Sequence, residues 1–176
     1  MLSLPGVLAA CGGADESASP APAAAAPGVG DRAPDFTAPD QNAQSVSLAS
    51  LRGSAVVLYF YPRDATPGCT AEACAFRDAW DRLEALGAKV VGVSSDDSAS
   101  HAEFAQEHDL TFPLLADPEG TIAEAFGVPS RLGFHARMTF IIDQSGVIRR
   151  VFRDVDPAVH VEEVAQVLES LASVSP

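Results

Sequence analysis

Two cysteines, Cys69 and Cys74, stand in the stretch Tyr61-Pro62-Arg63-Asp64-Ala65-Thr66-Pro67-Gly68-Cys69-Thr70-Ala71-Glu72-Ala73-Cys74. The apolar run before it, Val56-Val57-Leu58-Tyr59-Phe60, has the length of a buried strand. Behind it Phe76, Ala79, Trp80, Leu83 and Leu86 recur three or four apart, the pattern of a helix. Cys69 therefore sits where a strand-end loop turns into a helix. The first amides of a helix lack intrahelical acceptors, and its dipole is positive at that end. Such a place favours a thiolate, the nucleophilic form of cysteine. Thr66, three residues earlier, can offer a hydroxyl to the sulfur or to a bound oxygen atom. Pro62 and Pro67 stiffen the loop and remove competing donors, and Gly68 lets the backbone come close. A cation is still needed to hold the thiolate and polarise an O–O bond. Arg63 is local, while Arg131 and Arg137 arrive from a later loop.

The spacing of the two cysteines narrows the chemistry. Five residues of regular helix give about 7.5 Å of rise and roughly 140° of rotation. The two Cα atoms would then lie about 8–9 Å apart, beyond the ~7 Å that a disulfide bridges without backbone movement. A Cys69–Cys74 disulfide thus requires the first helical turns to unwind. That suits a cysteine oxidised first to a sulfenic acid and resolved second by its neighbour. A dithiol exchange enzyme of thioredoxin type would place Cys-x-x-Cys at the helix start. A copper carrier on the same scaffold would need Cys-x3-Cys with a histidine. Neither spacing is present.

The elements that must position these groups read as follows. Ala33–Phe36 and Ser45–Leu48 form short strands about a turn at Asp40-Gln41-Asn42, and Ser47–Leu51 makes one helical turn. Strand Ala55–Tyr61 leads to a helix from Thr70 to Leu86, stopped by Gly87. Lys89–Ser94 is a second buried strand. Asp97 or Ser98 caps a helix through His108. Phe112–Ala116 is extended, residues 121–126 form a short helix, and a loop with Pro129 and Gly133 leads to Arg137. Thr139–Ile142 and Val147–Arg153 form a hairpin, and Val159–Val174 is an amphipathic closing helix. The alternation predicts an α/β fold with a mixed sheet. Arg63 and Arg131 read as solvated charges and His135 as a loop histidine. Asp96, Asp97, Glu162 and Glu163 read as caps and a solvated face. His101 and His108 are seven apart, which is wrong for a metal pair at i and i+4.

The chain carries 24 acids against 11 bases, for a net charge of −13. That balance argues against nucleic acid as a partner, because phosphate binding needs basic patches. Three cysteines are too few for a disulfide scaffold. No apolar run reaches the ~18–20 residues of a membrane-spanning helix.

Residues 1–11 end in Leu8-Ala9-Ala10-Cys11, which resembles a bacterial lipobox, with Cys11 as the lipidated residue. No basic residue precedes it and the apolar segment is short for a signal peptide. A start codon upstream of Met1 would supply both features. Residues 12–30 are rich in Ala, Pro and Gly with almost no large apolar groups, the composition of an extended, disordered linker. The expected organisation is a signal segment at 1–11, a spacer at 12–30 and a folded domain at 31–176. It predicts an exported lipoprotein of the periplasm or cell envelope that touches a membrane only through its anchor, with a cytoplasmic protein as the alternative.

The stretch Pro62-Arg63-Asp64-Ala65-Thr66-Pro67-Gly68-Cys69-Thr70-Ala71-Glu72-Ala73-Cys74 resembles the active site of the peroxiredoxin Q, or bacterioferritin comigratory protein, branch of the peroxiredoxins. The resemblance continues through Phe76-Arg77-Asp78, Gly92-Val93-Ser94, Ser100-His101, Phe112–Asp117 and Arg137–Gly146, and covers about residues 28–174. It implies a thioredoxin-like fold with a short N-terminal strand extension. It implies Cys69 as the peroxidatic and Cys74 as the resolving cysteine, Thr66 and Arg137 as the activating hydroxyl and guanidinium, and Pro62 as a shield. The implied reaction reduces hydrogen peroxide or an organic hydroperoxide, with electrons from a thioredoxin-like protein and no metal or organic cofactor. A resolving cysteine within the same helix removes any need for a partner chain, so a monomer is expected.

Overall fold

A computed structural model describes residues 26–153 and 155–174. The segment read as a lipobox, with Cys11, and most of the segment read as a spacer lie outside the described residues.

The sheet is built on β3 (Ala55–Phe60), in which all six residues are buried. On one side β3 pairs in parallel with β4 (Ala88–Ser94), and β4 pairs in parallel with β5 (Leu114–Ala116). On the other side it pairs antiparallel with β8 (Met138–Ile142), which pairs with β9 (Ile148–Phe152). The spatial order is β5-β4-β3-β8-β9. A central strand with both faces covered must be apolar throughout, which is why this segment shows no alternation.

Successive β3 side chains point to opposite faces and seed two cores. Val57, Tyr59 and the following Tyr61 join Phe76, Leu83, Phe104 and Leu168. These come from α1 (Pro67–Asp78), α2 (Trp80–Ala85), α3 (Ser98–Glu107) and α5 (His160–Val174). Val56, Leu58 and Phe60 join Phe36, Leu48, Ile122, Phe126 and Phe140. This second face is covered by the N-terminal extension and by α4 (Thr121–Ala125). Phe126 lies 5.0 Å from Phe140 and 5.7 Å from Phe60, ring to ring, so one aromatic group closes that side.

Four details differ from the sequence expectation. The N-terminal hairpin pairs β1 (Thr37–Pro39) with β2 (Ser45–Ser47), so its first strand begins after Phe36. Pro34 has no amide to donate to a ladder, and Ala33 and Phe36 are buried as core contacts instead. The helix after β3 starts at Pro67, three residues early, because a proline at the first helical position loses no hydrogen bond. That helix then breaks at Ala79, whose φ of −93° and ψ of 4° re-aim the chain. Beyond the break, Trp80 stacks on Phe112 and Leu83 enters the core. Finally, the loop before Arg137 contains a two-stranded hairpin, β6 (Ser130–Arg131) and β7 (Phe134–His135). Leu132 and Gly133 turn it with φ of 53° and 83°. Both turn residues have positive φ, as in the tight hairpin turn usually marked by Asn-Gly. Leu-Gly carries no such mark.

Candidate active site

The end of β3 and the start of α1 are joined by six residues. Tyr61 extends the ladder, its amide donating to the Val93 carbonyl at 3.1 Å. Pro62 follows, half-buried. Ala65 adopts a left-handed φ of 53°, and Thr66 returns to extended backbone as the N-cap of α1. The first bond of the helix runs from the Thr70 amide to the Thr66 carbonyl at 2.8 Å. The amides of Gly68 and Cys69 precede it and have no carbonyl within the helix to bond. Cys69 is thus placed in the first turn, only 2% exposed. The helix direction supplies positive potential there without any charged side chain.

The guanidinium comes from across the sheet. Arg137, immediately before β8, donates from Nη2 to Cys69 Sγ at 3.2 Å. From Nη1 it bonds to Glu72 Oε2. One planar fork therefore holds the sulfur and a carboxylate side by side. Glu72 was not singled out in the sequence, yet it is fully buried. Its signal was there to be read, because a residue three after Cys69 lies on the same helical face. Burial pushes the Glu72 carboxyl up to about 7, against the opposing pull of Arg137. Burial also works against the Arg137 charge, but Glu72 and Cys69 outweigh it and raise its affinity for the proton. Gly68 lies beside the guanidinium, and a Cβ there would sit in ordinary contact at 3.5 Å from Arg137 Nη2.

Beneath the site lies Tyr59, whose buried hydroxyl has no hydrogen-bond partner among the described residues. Desolvation, followed by the charges of Glu72, Asp64 and Cys69, raises its pKa well above the ordinary value. Its ring fits only because position 92 is glycine. A Cβ there would come within 2.9 Å of the Tyr59 ring and hydroxyl.

The other sequence candidates fall as follows. The Thr66 hydroxyl donates to the Arg63 carbonyl at 3.1 Å, which closes the loop on itself. Cys74 is partly exposed on α1, and both described thiols are free. Arg63 is exposed, with its guanidinium 5.8 Å over the Phe134 ring, and Arg131 lies exposed on the β6–β7 hairpin. His135 is a buried residue, with Nδ1 3.0 Å from Ser130 Oγ and Nε2 3.3 Å from Asp117 Oδ2. Asp97 caps α3 as expected, accepting from the Ser100 amide. Asp96 is no cap of a helix and accepts from the Asp64 amide and the Ser94 hydroxyl. Among the described residues, no group of histidine, cysteine and acidic side chains has the arrangement of a metal site.

A cysteine in the first turn of a helix, touched by an arginine and cut off from water, could attack an electrophilic atom whose leaving group departs as an anion. Residues 29–151 match the AhpC/TSA family. The chloroplast peroxiredoxin Q of Oryza sativa subsp. japonica is 42% identical over 145 residues, which is 81% of this chain and 67% of the relative. The crystal structure of peroxidoxin BcpB from Mycobacterium tuberculosis superposes with a TM-score of 0.77 at 36% identity, covering 81% of this chain and 97% of that one. A bacterioferritin comigratory protein of Xanthomonas campestris, studied for alkyl peroxide reduction with a trapped intermediate, gives 0.74 at 30% identity, covering 78% of this chain and 92% of that one. The chain therefore belongs to the AhpC/TSA family, in its peroxiredoxin Q and bacterioferritin comigratory protein branch.

Proposed function

We propose that Cys69 is the peroxide-reducing nucleophile of this thiol-dependent peroxidase and that Cys74 resolves its oxidised form. The observation that carries this reading is the contact of Arg137 Nη2 with Cys69 Sγ in the first turn of α1. The Cys69 thiolate attacks one oxygen of a hydroperoxide. An S–O bond forms, the O–O bond breaks, and the second oxygen leaves as an alkoxide or hydroxide that takes up a proton. Sulfur is oxidised to the sulfenic acid and the peroxide is reduced to an alcohol or water. The Arg137 guanidinium stabilises the sulfur before attack and the developing oxygen charge during it. In this role the Thr66 hydroxyl exchanges its Arg63 carbonyl partner for the peroxide. Pro62 shields the thiolate from water.

The first turns of α1 then open, and the Cys74 thiol attacks the sulfenic sulfur. An S–S bond forms, the S–O bond breaks, and water leaves. A thioredoxin-like dithiol reduces the disulfide by exchange and restores both thiols. Hydrogen peroxide and organic hydroperoxides both fit the chemistry, the latter supported by the alkyl peroxide activity of the Xanthomonas relative. Each step consumes only thiols and peroxide, and one chain supplies both cysteines, so a monomer suffices.

Titration of the reduced protein with hydrogen peroxide, followed through Trp80 fluorescence and thiol count, tests the assignment. Fast loss of two thiols per peroxide is expected. Oxidation of Cys69 no faster than free cysteine overturns it.

For residues 1–30 we retain the lipid anchor at Cys11 and spacer, which places the enzyme at the cell envelope. The support is Leu8-Ala9-Ala10-Cys11 and the Ala/Pro-rich composition after it. Among the described residues, no helix is long and apolar enough to cross a membrane. Fractionation of cells and the mass of the N-terminal peptide decide the point. An unmodified Cys11 in the soluble fraction is the contrary result.

A further inference from the structure

The loop that carries Thr66 and leads into the Cys69 turn is held from behind by a buried carboxylate that the chemistry above does not use. Asp64 is 7% exposed. Its Oδ1 accepts from the Tyr61 hydroxyl at 2.7 Å. Its Oδ2 accepts from the Ser100 hydroxyl at 2.7 Å and meets His101 Nδ1 at 2.8 Å. The Asp64 amide donates to Asp96 Oδ2 at 2.9 Å, and that same oxygen accepts from Ser94 Oγ at 2.8 Å. His101 has no exposed surface, and its Nε2 faces the Leu115 carbonyl at 3.2 Å. One residue of the loop is thus tied to the end of β3, the end of β4, the first turn of α3 and, through His101, to β5.

Burial alone would push the Asp64 carboxyl up. The hydrogen bond and charge of His101, with the Tyr61 and Ser100 hydroxyls, outweigh it and hold the group below the ordinary carboxylate range. A carboxylate so fixed is costly to release, because any opening of the loop strips it of charge-assisted bonds. The residue that follows, Ala65, is strained at φ 53°, and a non-glycine residue keeps such a conformation only where its surroundings impose it. Next comes Thr66, the N-cap of the helix that must open. The network therefore sits at the hinge between a fixed sheet and a helix start with two required states.

We propose that Asp64, through Tyr61, Ser100 and His101, is the anchor that sets how readily the Cys69 end of α1 unwinds. It thereby governs the partition of oxidised Cys69 between the Cys74 disulfide and further oxidation. The proposal rests on the assignment of Cys69 and Cys74 made above. The oxidised sulfur has two fates. Attack by Cys74 expels water and needs the opened helix, whereas a second peroxide adds another oxygen to the sulfur in the closed helix, giving a sulfinic acid and releasing an alcohol or water. Weakening the anchor raises the small population of the opened form. The closed form, already dominant, is barely depleted, so the first oxidation hardly changes.

The test uses the whole reduced protein as wild type, Asp64→Asn and Ser100→Ala. The rate of Cys69 oxidation by hydrogen peroxide is followed by Trp80 fluorescence. The rate of disulfide formation and the yield of sulfinic acid are read by mass spectrometry of quenched samples. Disulfide formation is expected to quicken about tenfold in Asp64→Asn and roughly threefold in Ser100→Ala, with the sulfinic acid yield falling in parallel. The first oxidation is expected to change by less than about twofold. Should Asp64→Asn fail to fold, Ser100→Ala is read by the same criteria. A merely structural contribution lowers the thermal midpoint and leaves disulfide formation at its wild-type rate, and that result overturns the proposal. Slower disulfide formation overturns it as well. A wild-type protein that loses no thiol to peroxide sinks the cysteine assignment itself, and the anchor with it.

Discussion

Arg137 donates to Cys69 Sγ at 3.2 Å across 68 residues of sequence. Its other terminal nitrogen is committed to Glu72, one helical turn beyond the cysteine. The geometry makes the guanidinium a bridge. It is fixed by a buried carboxylate on one side, so that its charge is already in place for the sulfur on the other.

Replacing Glu72 by Gln removes the charge that orients Arg137 and leaves a half-buried guanidinium with a neutral partner. We expect Cys69 oxidation above pH 7, where the Glu72 carboxyl is ionised, to slow by roughly tenfold, measured by stopped-flow fluorescence. Unchanged oxidation would mean that the helix start alone positions the arginine.

Thr66 bonds the Arg63 carbonyl through its hydroxyl. A role toward peroxide requires the hydroxyl itself, so Thr66→Val should lower the oxidation rate by at least about tenfold while Thr66→Ser preserves most of it. Equal rates in the two variants, compared at one peroxide concentration, would confine Thr66 to closing the loop.

Disulfide formation demands that Cys69 and Cys74 leave the helix they share. In the reduced protein, amide hydrogen exchange over residues 66–76 should be faster than in β3 and β4, reporting local opening below the global unfolding energy. Protection equal to that of the sheet would exclude the opening. A Cys74→Ser variant should accumulate sulfenic acid on Cys69, detectable by dimedone labelling. Undiminished turnover of that variant with a thioredoxin would remove Cys74 from the cycle.

His160 offers a pH signature independent of the cysteines. It is fully buried between the Phe76 and Phe152 rings, with Nε2 2.9 Å from Thr139 Oγ1. Desolvation, and then the charge of Arg137, lower its pKa from 6.5 to about 4. The unfolded chain therefore binds a proton that the fold refuses between those values. Stability from this group is complete above pH 6.5 and is lost as the pH falls toward 4, by up to about 3 kcal/mol. Glu72 acts in the opposite sense over an overlapping window. Its raised pKa keeps a proton in the fold that the unfolded chain has released, so its contribution declines as pH rises from 4.5 to about 7. Urea unfolding of wild type and His160→Gln at pH 7 and pH 5 should show a smaller loss on acidification in the variant. Parallel losses would place the acid sensitivity elsewhere.

The sequence by itself determined what is local. The apolar run of β3, the turn into a helix and the Cys-x4-Cys spacing follow from residues that are neighbours in the chain. Together they specify one cysteine at the start of a helix and a second five residues along it. Glu72 was legible in the same way, through its place one helical turn after Cys69. Only the tertiary structure decided which of three arginines serves the sulfur. Arg63, six residues from Cys69, lies over Phe134, whereas Arg137 reaches the sulfur because β8 is the antiparallel neighbour of β3. The same holds for the Asp64–His101 pair, which joins the loop to α3 across 37 residues, and for the Tyr59 hydroxyl left without a partner under the site. Charges and hydrogen-bonding groups find partners by position in space. The chain states its periodicities locally, but it brings those partners together only when the sheet is assembled.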